Sequence, residues 1–196
     1  MKDELPAPLR TVGATRSVFE REFELTQEDP FAGLGDPDEG GVISGDVLGA
    51  GGMGVVHAGI QTALQRPVAV KRTLQRDPRA GDEAFLAFLR EAWISAKLEH
   101  PNIIPVHALC SDRGDPQLVM KRVEGVAWRA LLDDDALASE HGMRDRLAFH
   151  LAILGRVCRA VHFAHSRGIV HLDLKPDNVM VGRHGEVYLL DWGVAA

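Results

Sequence analysis

The segment His171-Leu172-Asp173-Leu174-Lys175-Pro176-Asp177-Asn178, followed by Asp191-Trp192-Gly193 eighteen residues beyond Asp173, holds the densest chemistry in the chain. Two carboxylates, an amide, an imidazole and an ammonium fall within eight residues. The stretch around them reads as loop broken by short strands at Ile169–Val170, Val179–Val181 and Val187–Leu190. Upstream, a long helix is predicted over 144–166, carrying Leu147, Leu151, Leu154, Val157 and Val161 among its apolar residues. Gly168 stands where such a helix takes a left-handed residue at its C-terminus.

Further out, the chain before Gly125 is mostly β-type. Val42–Leu48, Val55–Ile60 and Pro67–Arg72 read as strands, as do Ile103–Leu109 and Pro116–Val123, the last two joined by a turn at Asp112-Arg113-Gly114-Asp115. Between the two groups a helix is predicted over Asp82–Glu99. Phe85, Phe88, Leu89, Ala92, Trp93 and Ala96 lie at its spacing, Asp82 is the N-cap, and His100-Pro101-Asn102 is the stop. A short helix is expected near Trp128–Leu132, and the Asp133-Asp134-Asp135 run reads as a solvated loop at its end. Three strands, a helix, two strands and then helices make an α+β layout in two lobes.

Two features of the first lobe carry chemistry. Gly49-Ala50-Gly51-Gly52-Met53-Gly54-Val55-Val56 joins two strands, and glycines at 49, 51 and 54 let a backbone approach a phosphate because no Cβ intervenes. A dinucleotide-binding G-x-G-x-x-G would lead into a helix, whereas Val55–Ile60 is β-branched and short; a turn with no ligand stays open as the plain reading. Lys71 ends an apolar strand, sharing a face with Ala69, and by itself is a strand-end lysine reaching solvent. Glu91, however, borders the apolar stripe of the predicted helix, where a charge calls for a partner, and Lys71 is the natural candidate. Arg90 is expected to face water.

Taken together and in this order, the glycine loop, Lys71, Glu91, the 171–178 loop and Asp191-Trp192-Gly193 resemble the bacterial (Hanks-type) serine/threonine protein kinases, over about Val42 to Ala196. The resemblance implies a two-lobe α+β fold: a five-stranded antiparallel N-lobe sheet with one helix, and a partly helical C-lobe. It implies ATP binding by Leu48, Gly49, Ala50, Gly51, Gly52, Met53, Gly54, Val55, Val56, Ala69, Lys71, Met120 and Val123, with Met120 as gatekeeper. Lys121 to Val123 would offer backbone groups to adenine, leaving the Lys121 and Arg122 side chains exposed. It further implies that Glu91 holds Lys71 and that Asp173 takes or orients the proton of the substrate hydroxyl. Lys175 would neutralise the γ-phosphate, while Asn178 and Asp191 bind Mg²⁺, or Mn²⁺ in its place. Oxygen ligands on a short loop suit Mg²⁺, and phosphoryl transfer rests on positioning and charge neutralisation more than on covalent help. Two departures stand out. Leu172 replaces the usual arginine that binds an activation-loop phosphate, and Trp192 replaces the usual phenylalanine.

The implied partners are ATP and a protein bearing serine or threonine. A net charge of −6 offers no broad basic surface for nucleic acid. No segment has the uncharged, uniformly apolar character of a membrane span, and the acidic, proline-containing N-terminus is no signal peptide. Cys110 and Cys158 form no C-x-x-C pair, which fits reduced thiols and a cytoplasmic location, with a membrane anchor beyond residue 196 left open. Residues 1–40 read as an acidic flexible tail with a short helix at Ser17–Leu25, 41–123 as the ATP-binding lobe and 124–196 as a partial C-lobe. On this organisation the chain is expected to be a fragment of a larger kinase, inactive and self-associating when expressed alone. Cys158, His162 and His165, at i, i+4 and i+7 of the long helix, suggest a metal site or, more simply, a packed helix face. His171 and Asp177 read as structural residues of the loop. Two other functions remain as alternatives: a nucleotide-holding pseudokinase-like module, and an aminoglycoside-type small-molecule phosphotransferase. Lys175-Pro176 and the Gly-Gly-Met-Gly loop favour the protein kinase over the latter.

Overall fold

In the computed structural model of the chain, the described residues are 41–51, 54–73, 83–112, 115–193 and 195. The expected tail helix at 17–25, the Asp82 cap, Gly52, Met53 and the tip of the 112–115 turn lie outside them.

The valine-rich runs form an antiparallel sheet. Strands β1 (Val42–Gly51), β2 (Gly54–Gln61), β3 (Arg66–Arg72), β4 (Val106–Asp112) and β5 (Asp115–Lys121) assemble in the order β1-β2-β3-β5-β4. Although β1 and β4 are the two edges, Val42 from one and Ala108 and Cys110 from the other pack on the same buried cluster of Val68, Val70 and Val119. The sheet therefore curls over its own core. Arg72 fastens the curl, donating to Ser44 Oγ at 3.1 Å on β1 and to Asp112 Oδ2 at 3.3 Å on β4.

Helix α1 (Glu83–Lys97) buries Phe85, Phe88, Leu89, Ala92 and Ile94. Ala96 is exposed and Trp93 only half-buried, so the covered stripe is rotated from the expected one and takes in Glu91 and Ser95. The chain after α1 does not enter β4 at once. Ile103 pairs in parallel with Leu189, and Leu189 N–H donates to Asn102 O at 2.8 Å, which ties the helix exit to the second sheet.

That second sheet is β6 (Gly125–Ala127), β7 (Val179–Gly182) and β8 (Val187–Leu189), antiparallel in sequence order. β6 is an addition to the sequence reading. It presses against β7 so closely that a Cβ on Gly125 would collide with the Val181 carbonyl. Helix α2 (Trp128–Asp133) follows directly. The three aspartates are exposed at its end as expected, but the loop is only Asp134, whose carboxylate accepts from Ala136 N and Leu137 N at 2.8 and 3.1 Å and caps helix α3 (Asp135–Glu140).

The long helix α4 (Arg146–Ser166) starts after Asp145, whose side chain accepts from Ala148 N at 2.7 Å. It ends as expected at Gly168, φ 75°, with Gly168 N–H to His165 O and Ile169 N–H to Ala164 O closing the last turn. Ile169, predicted to open a strand, spends its N–H on that closure and joins no ladder. α4 packs on β8 and buries Ile153, Val157, Ala160 and Ala164, while Leu147, Leu151 and Leu154 are exposed. By length and composition it is the one helix among the described residues long and apolar enough to cross a membrane.

Candidate active site

Where the curled sheet meets the second sheet, a cavity of about 800 Å³ opens, and most of the singled-out residues line it. Its roof is Leu48, Gly49, Ala50, Gly51, Gly54, Val56 and Ala69, and its back wall is Lys71, Glu91 and Met120. The floor carries Asp173, Lys175, Asp177, Asn178 and Asp191. Val55 is the described exception. Alternation along β2 turns it away from the face that Gly54 and Val56 present, so its expected place in the nucleotide site does not hold. Gly49 and Gly51 would have open space around a Cβ, whereas Gly54, at φ 142°, is pressed against the Arg72 carbonyl and admits no side chain.

Lys71 is 8% exposed and Glu91 5%, so the plain reading of Lys71 as a solvent-reaching strand end does not apply. Its ammonium donates to Glu91 Oε1 and Oε2 at 2.6 and 2.7 Å and to Asp191 Oδ1 at 3.4 Å. Burial pushes the Glu91 carboxyl above its ordinary value, opposed by the attraction and hydrogen bond of Lys71. α1 brings Glu91 here because its buried face also carries Phe88, Ala92 and Ser95. Arg90, one residue away, is exposed as expected.

On the floor, Lys175 Nζ donates to Asp173 Oδ2 at 2.7 Å, and Asn178 Nδ2 donates to the same oxygen at 3.0 Å and to Asp173 O at 2.9 Å. The Lys175 hydrogen bond, ahead of the one from Asn178, holds the Asp173 carboxyl below the usual carboxylate range. The same bond holds the Lys175 ammonium above its ordinary value. His171 fixes the loop from beneath. Its Nδ1 lies 3.3 Å from the Asp173 N–H and its Nε2 lies 2.9 Å from Leu190 O, an arrangement in which Nδ1 accepts and Nε2 donates. Its ring also lies 4.6 Å from that of Trp192. Trp192 is buried, but its indole N–H has no hydrogen-bond partner among the described residues. Leu172 and Asp191 both sit at left-handed φ, 60° and 61°.

Asn178 Nδ2 is turned to Asp173, which leaves its amide oxygen, with the Asp177 and Asp191 carboxylates, as hard oxygen donors on the floor. Asn178 and Asp191, beside a space for phosphate, suit a small divalent cation that keeps several waters. Among the described residues no cluster of three His, Cys, Asp or Glu side chains forms an all-protein metal site, and Cys158, His162 and His165 are exposed on α4, neither a metal site nor a packed face.

Several lining residues were not singled out from sequence. Ser95, Ile104, Val106 and Leu118 extend the back of the cavity, and Met180 and Leu190 face it from the floor. Alternation within short strands signals Val106, Leu118 and Met180, whereas Ser95 lies on the buried face of α1 and Ile104 and Leu190 lie just outside strands, with no periodic signal of their own. Lys121, expected to be an exposed hinge side chain, instead lays its ammonium 5.1 Å from the Tyr188 ring centroid, and its backbone N–H donates to Pro105 O at 2.9 Å. Asp177, expected to hold the loop locally, faces Arg129 of α2, 3.6 Å from Nε to Oδ2.

A buried Lys–Glu pair roofed by a glycine hairpin, above a loop of Asp, Lys and Asn, defines a protein kinase, and the chain belongs to the protein kinase domain family, matched over residues 43–196. The relatives it resembles are of the bacterial Hanks type. One is the serine/threonine-protein kinase PknD of Chlamydia caviae, 39% identical over 153 residues, and another is PknD of Chlamydia trachomatis serovar D, 38% identical over 154 residues. Each alignment covers 76% of this chain and 16% of the relative, so the chain spans only a small part of the proteins it matches. Family membership carries with it the use of ATP and a divalent metal.

Proposed function

We propose that this chain supplies the nucleotide-binding lobe and catalytic loop of a protein serine/threonine kinase, which transfers the γ-phosphate of ATP to serine or threonine hydroxyls of a protein. The observation that carries it is the convergence on one cavity of the Lys71–Glu91 pair and the Asp173–Lys175–Asn178 cluster. In this reading the glycine hairpin covers the phosphates and Lys71, held by Glu91, binds the α- and β-phosphates. Leu48, Val56 and Ala69 enclose adenine below Met120. Because the Lys121 N–H is taken by Pro105, adenine would meet the Lys121 carbonyl and the backbone of Arg122 and Val123.

A substrate hydroxyl placed beside Asp173 attacks the γ-phosphorus. A P–O bond forms to that oxygen, the bond to the bridging oxygen of the leaving diphosphate breaks, and the hydroxyl proton passes to the Asp173 carboxylate. Lys175 would offset negative charge on the transferring group from its place 2.7 Å from Asp173. Asn178 and Asp191 would hold Mg²⁺, which supplies electrostatic stabilisation of the phosphates when bound. The organisation proposed is a tail at 1–40, the ATP-binding lobe at 41–123 and part of the C-lobe at 124–196. A cytoplasmic setting is supported by the free thiols of Cys110 and Cys158. The proposed partner set includes no nucleic acid and no membrane segment within this chain.

The test is phosphate transfer from labelled ATP by the intact protein, with a generic protein substrate and an aminoglycoside in parallel. Transfer to protein serine or threonine, abolished by Asp173→Asn while ATP affinity stays within a few-fold, is the expected result. Transfer to the aminoglycoside alone would overturn the reading.

A further inference from the structure

A hydrogen bond that only one protonation state can make joins α2 to α4. Trp128, the first residue of α2, donates its indole N–H to His150 Nδ1 on α4 at 2.9 Å, with the two ring centroids 6.3 Å apart. An indole nitrogen donates and never accepts, so Nδ1 carries a lone pair and the imidazole is neutral, with its proton on Nε2. That Nε2 is buried and has no hydrogen-bond partner among the described residues. The Phe149 ring meets the imidazole edge-on at 5.2 Å. An imidazolium here would carry N–H groups at both nitrogens, one directed at another N–H and the other at no acceptor. The surrounding charge does not favour it either. α2 faces the ring with Trp128, and α4 adds Arg146 one turn earlier, whose guanidinium donates to Asp135 of α3 and, at 2.9 Å, to Leu132 O of α2. Burial first, and the Arg146 charge second, hold the imidazole below the usual histidine range, and among the described residues no carboxylate opposes them.

We propose that the Trp128–His150 hydrogen bond is an acid-sensitive latch on α2, closed while the imidazole is neutral and opened when it takes up a proton. What the latch holds lies beside the candidate active site. α2 packs against the Pro176–Asn178 turn and against β6 and β7, and it sets Arg129 3.6 Å from Asp177 on the cavity floor. Opening frees the end of α2 that carries Arg129, so the turn loses support on that side. The sign with pH follows from the direction of the shift. A folded-state value below the unfolded 6.5 means that the latch contributes fully above 6.5 and is lost as pH falls through the folded value.

The experiment follows the indole N–H resonances of the intact protein, isotope-labelled at tryptophan, from pH 7.5 to 5, with Trp128→Phe identifying the resonance of Trp128. In wild type that resonance should shift along a one-proton curve with its midpoint below 6.5. In His150→Asn, whose side-chain oxygen still accepts but does not titrate, it should stay in place. His100 and His107 are also held below the usual histidine range, so the energetic effect is read as a difference between wild type and His150→Asn. In urea denaturation the unfolding equilibrium constant of wild type should rise, relative to that variant, by up to about tenfold per pH unit below 6.5. Amide exchange at 128–133, corrected for its intrinsic pH dependence, should quicken at low pH in wild type and not in His150→Asn. Should His150→Asn fail to fold, Trp128→Phe gives the same comparison, because without the indole donor the neutral ring loses its advantage and the pH response should shrink. A Trp128 resonance that does not move, stabilities that fall in parallel, or α2 amides indifferent to pH would each overturn the inference. None of these readouts requires phosphoryl transfer, so their failure leaves the proposed function standing.

Discussion

Replacing Lys71 by methionine keeps most of the stem and removes the ammonium from a pair that is almost wholly buried. Glu91 then has two ways to respond. It can stay ionised without its partner, which costs about 3–5 kcal/mol for a broken buried pair. Or it can take up a proton, at about 1.4 kcal/mol for each pH unit above its unfolded value of 4.5. At pH 7.5 the second route costs about 4 kcal/mol, so the variant should lose about 3–4 kcal/mol of stability, whichever route is cheaper. The sign with pH follows from the direction of the shift. Burial raises the folded-state carboxyl above the unfolded one, and without Lys71 nothing in the pair opposes that rise. The folded state then binds the proton more tightly, so the deficit is small near pH 4.5 and grows as pH rises toward the folded value. Urea denaturation of wild type, Lys71→Met and Lys71→Met/Glu91→Gln at pH 5, 6 and 7.5 reads this directly. The single variant should weaken by about 1.4 kcal/mol per unit relative to wild type, and the double variant should recover most of the loss and show no such slope. A deficit independent of pH, or one that Glu91→Gln fails to relieve, would mean that packing of the lysine stem, and not the orphaned carboxylate, sets the cost.

Leu172 holds a left-handed backbone while 65% exposed, so Leu172→Asn, a residue that tolerates that conformation, should raise stability by about 1 kcal/mol in chemical denaturation. A loss would show that the leucine side chain packs against something. The hydrogen bond from Lys175 holds Asp173 ionised below the usual carboxylate range, so Lys175→Met should move the acidic limb of the kcat/KM profile of the intact protein to higher pH as well as lowering the rate. An acidic limb that stays where it was would mean that another group sets it.

The legibility of this chain divides along the range of the interactions. Alternation in Val68-Ala69-Val70-Lys71 gave the face of Lys71, and helical spacing gave Glu91 a place beside the apolar stripe, because both patterns are local. What neither pattern contains is cover. Whether Lys71 ends in water or in a buried pair depends on α1 closing over β3, and residues twenty positions apart reveal that only through a family resemblance or the fold itself. The three-residue β6 and the parallel contact of Ile103 with Leu189 escaped for the same reason, being too short to show a period and owing their existence to strands more than fifty residues further along.

Polar detail was harder still. The apolar bulk of Trp192 could be read as a substitute for phenylalanine, since size and hydrophobicity belong to the residue. That its N–H finds no partner among the described residues could not, since partnership belongs to the neighbours. Arg129 and Asp177 are likewise unremarkable in the sequence, one beside a tryptophan and one inside a motif whose other members absorb attention. They meet because β6 pairs with β7, bringing the start of α2 against the Pro176–Asn178 turn. A three-residue strand with no signal of its own thus decides which charges border the proposed acceptor site. The family motif places Asp173 on its loop, while the local packing of β6 and α2 sets the charges beside that loop.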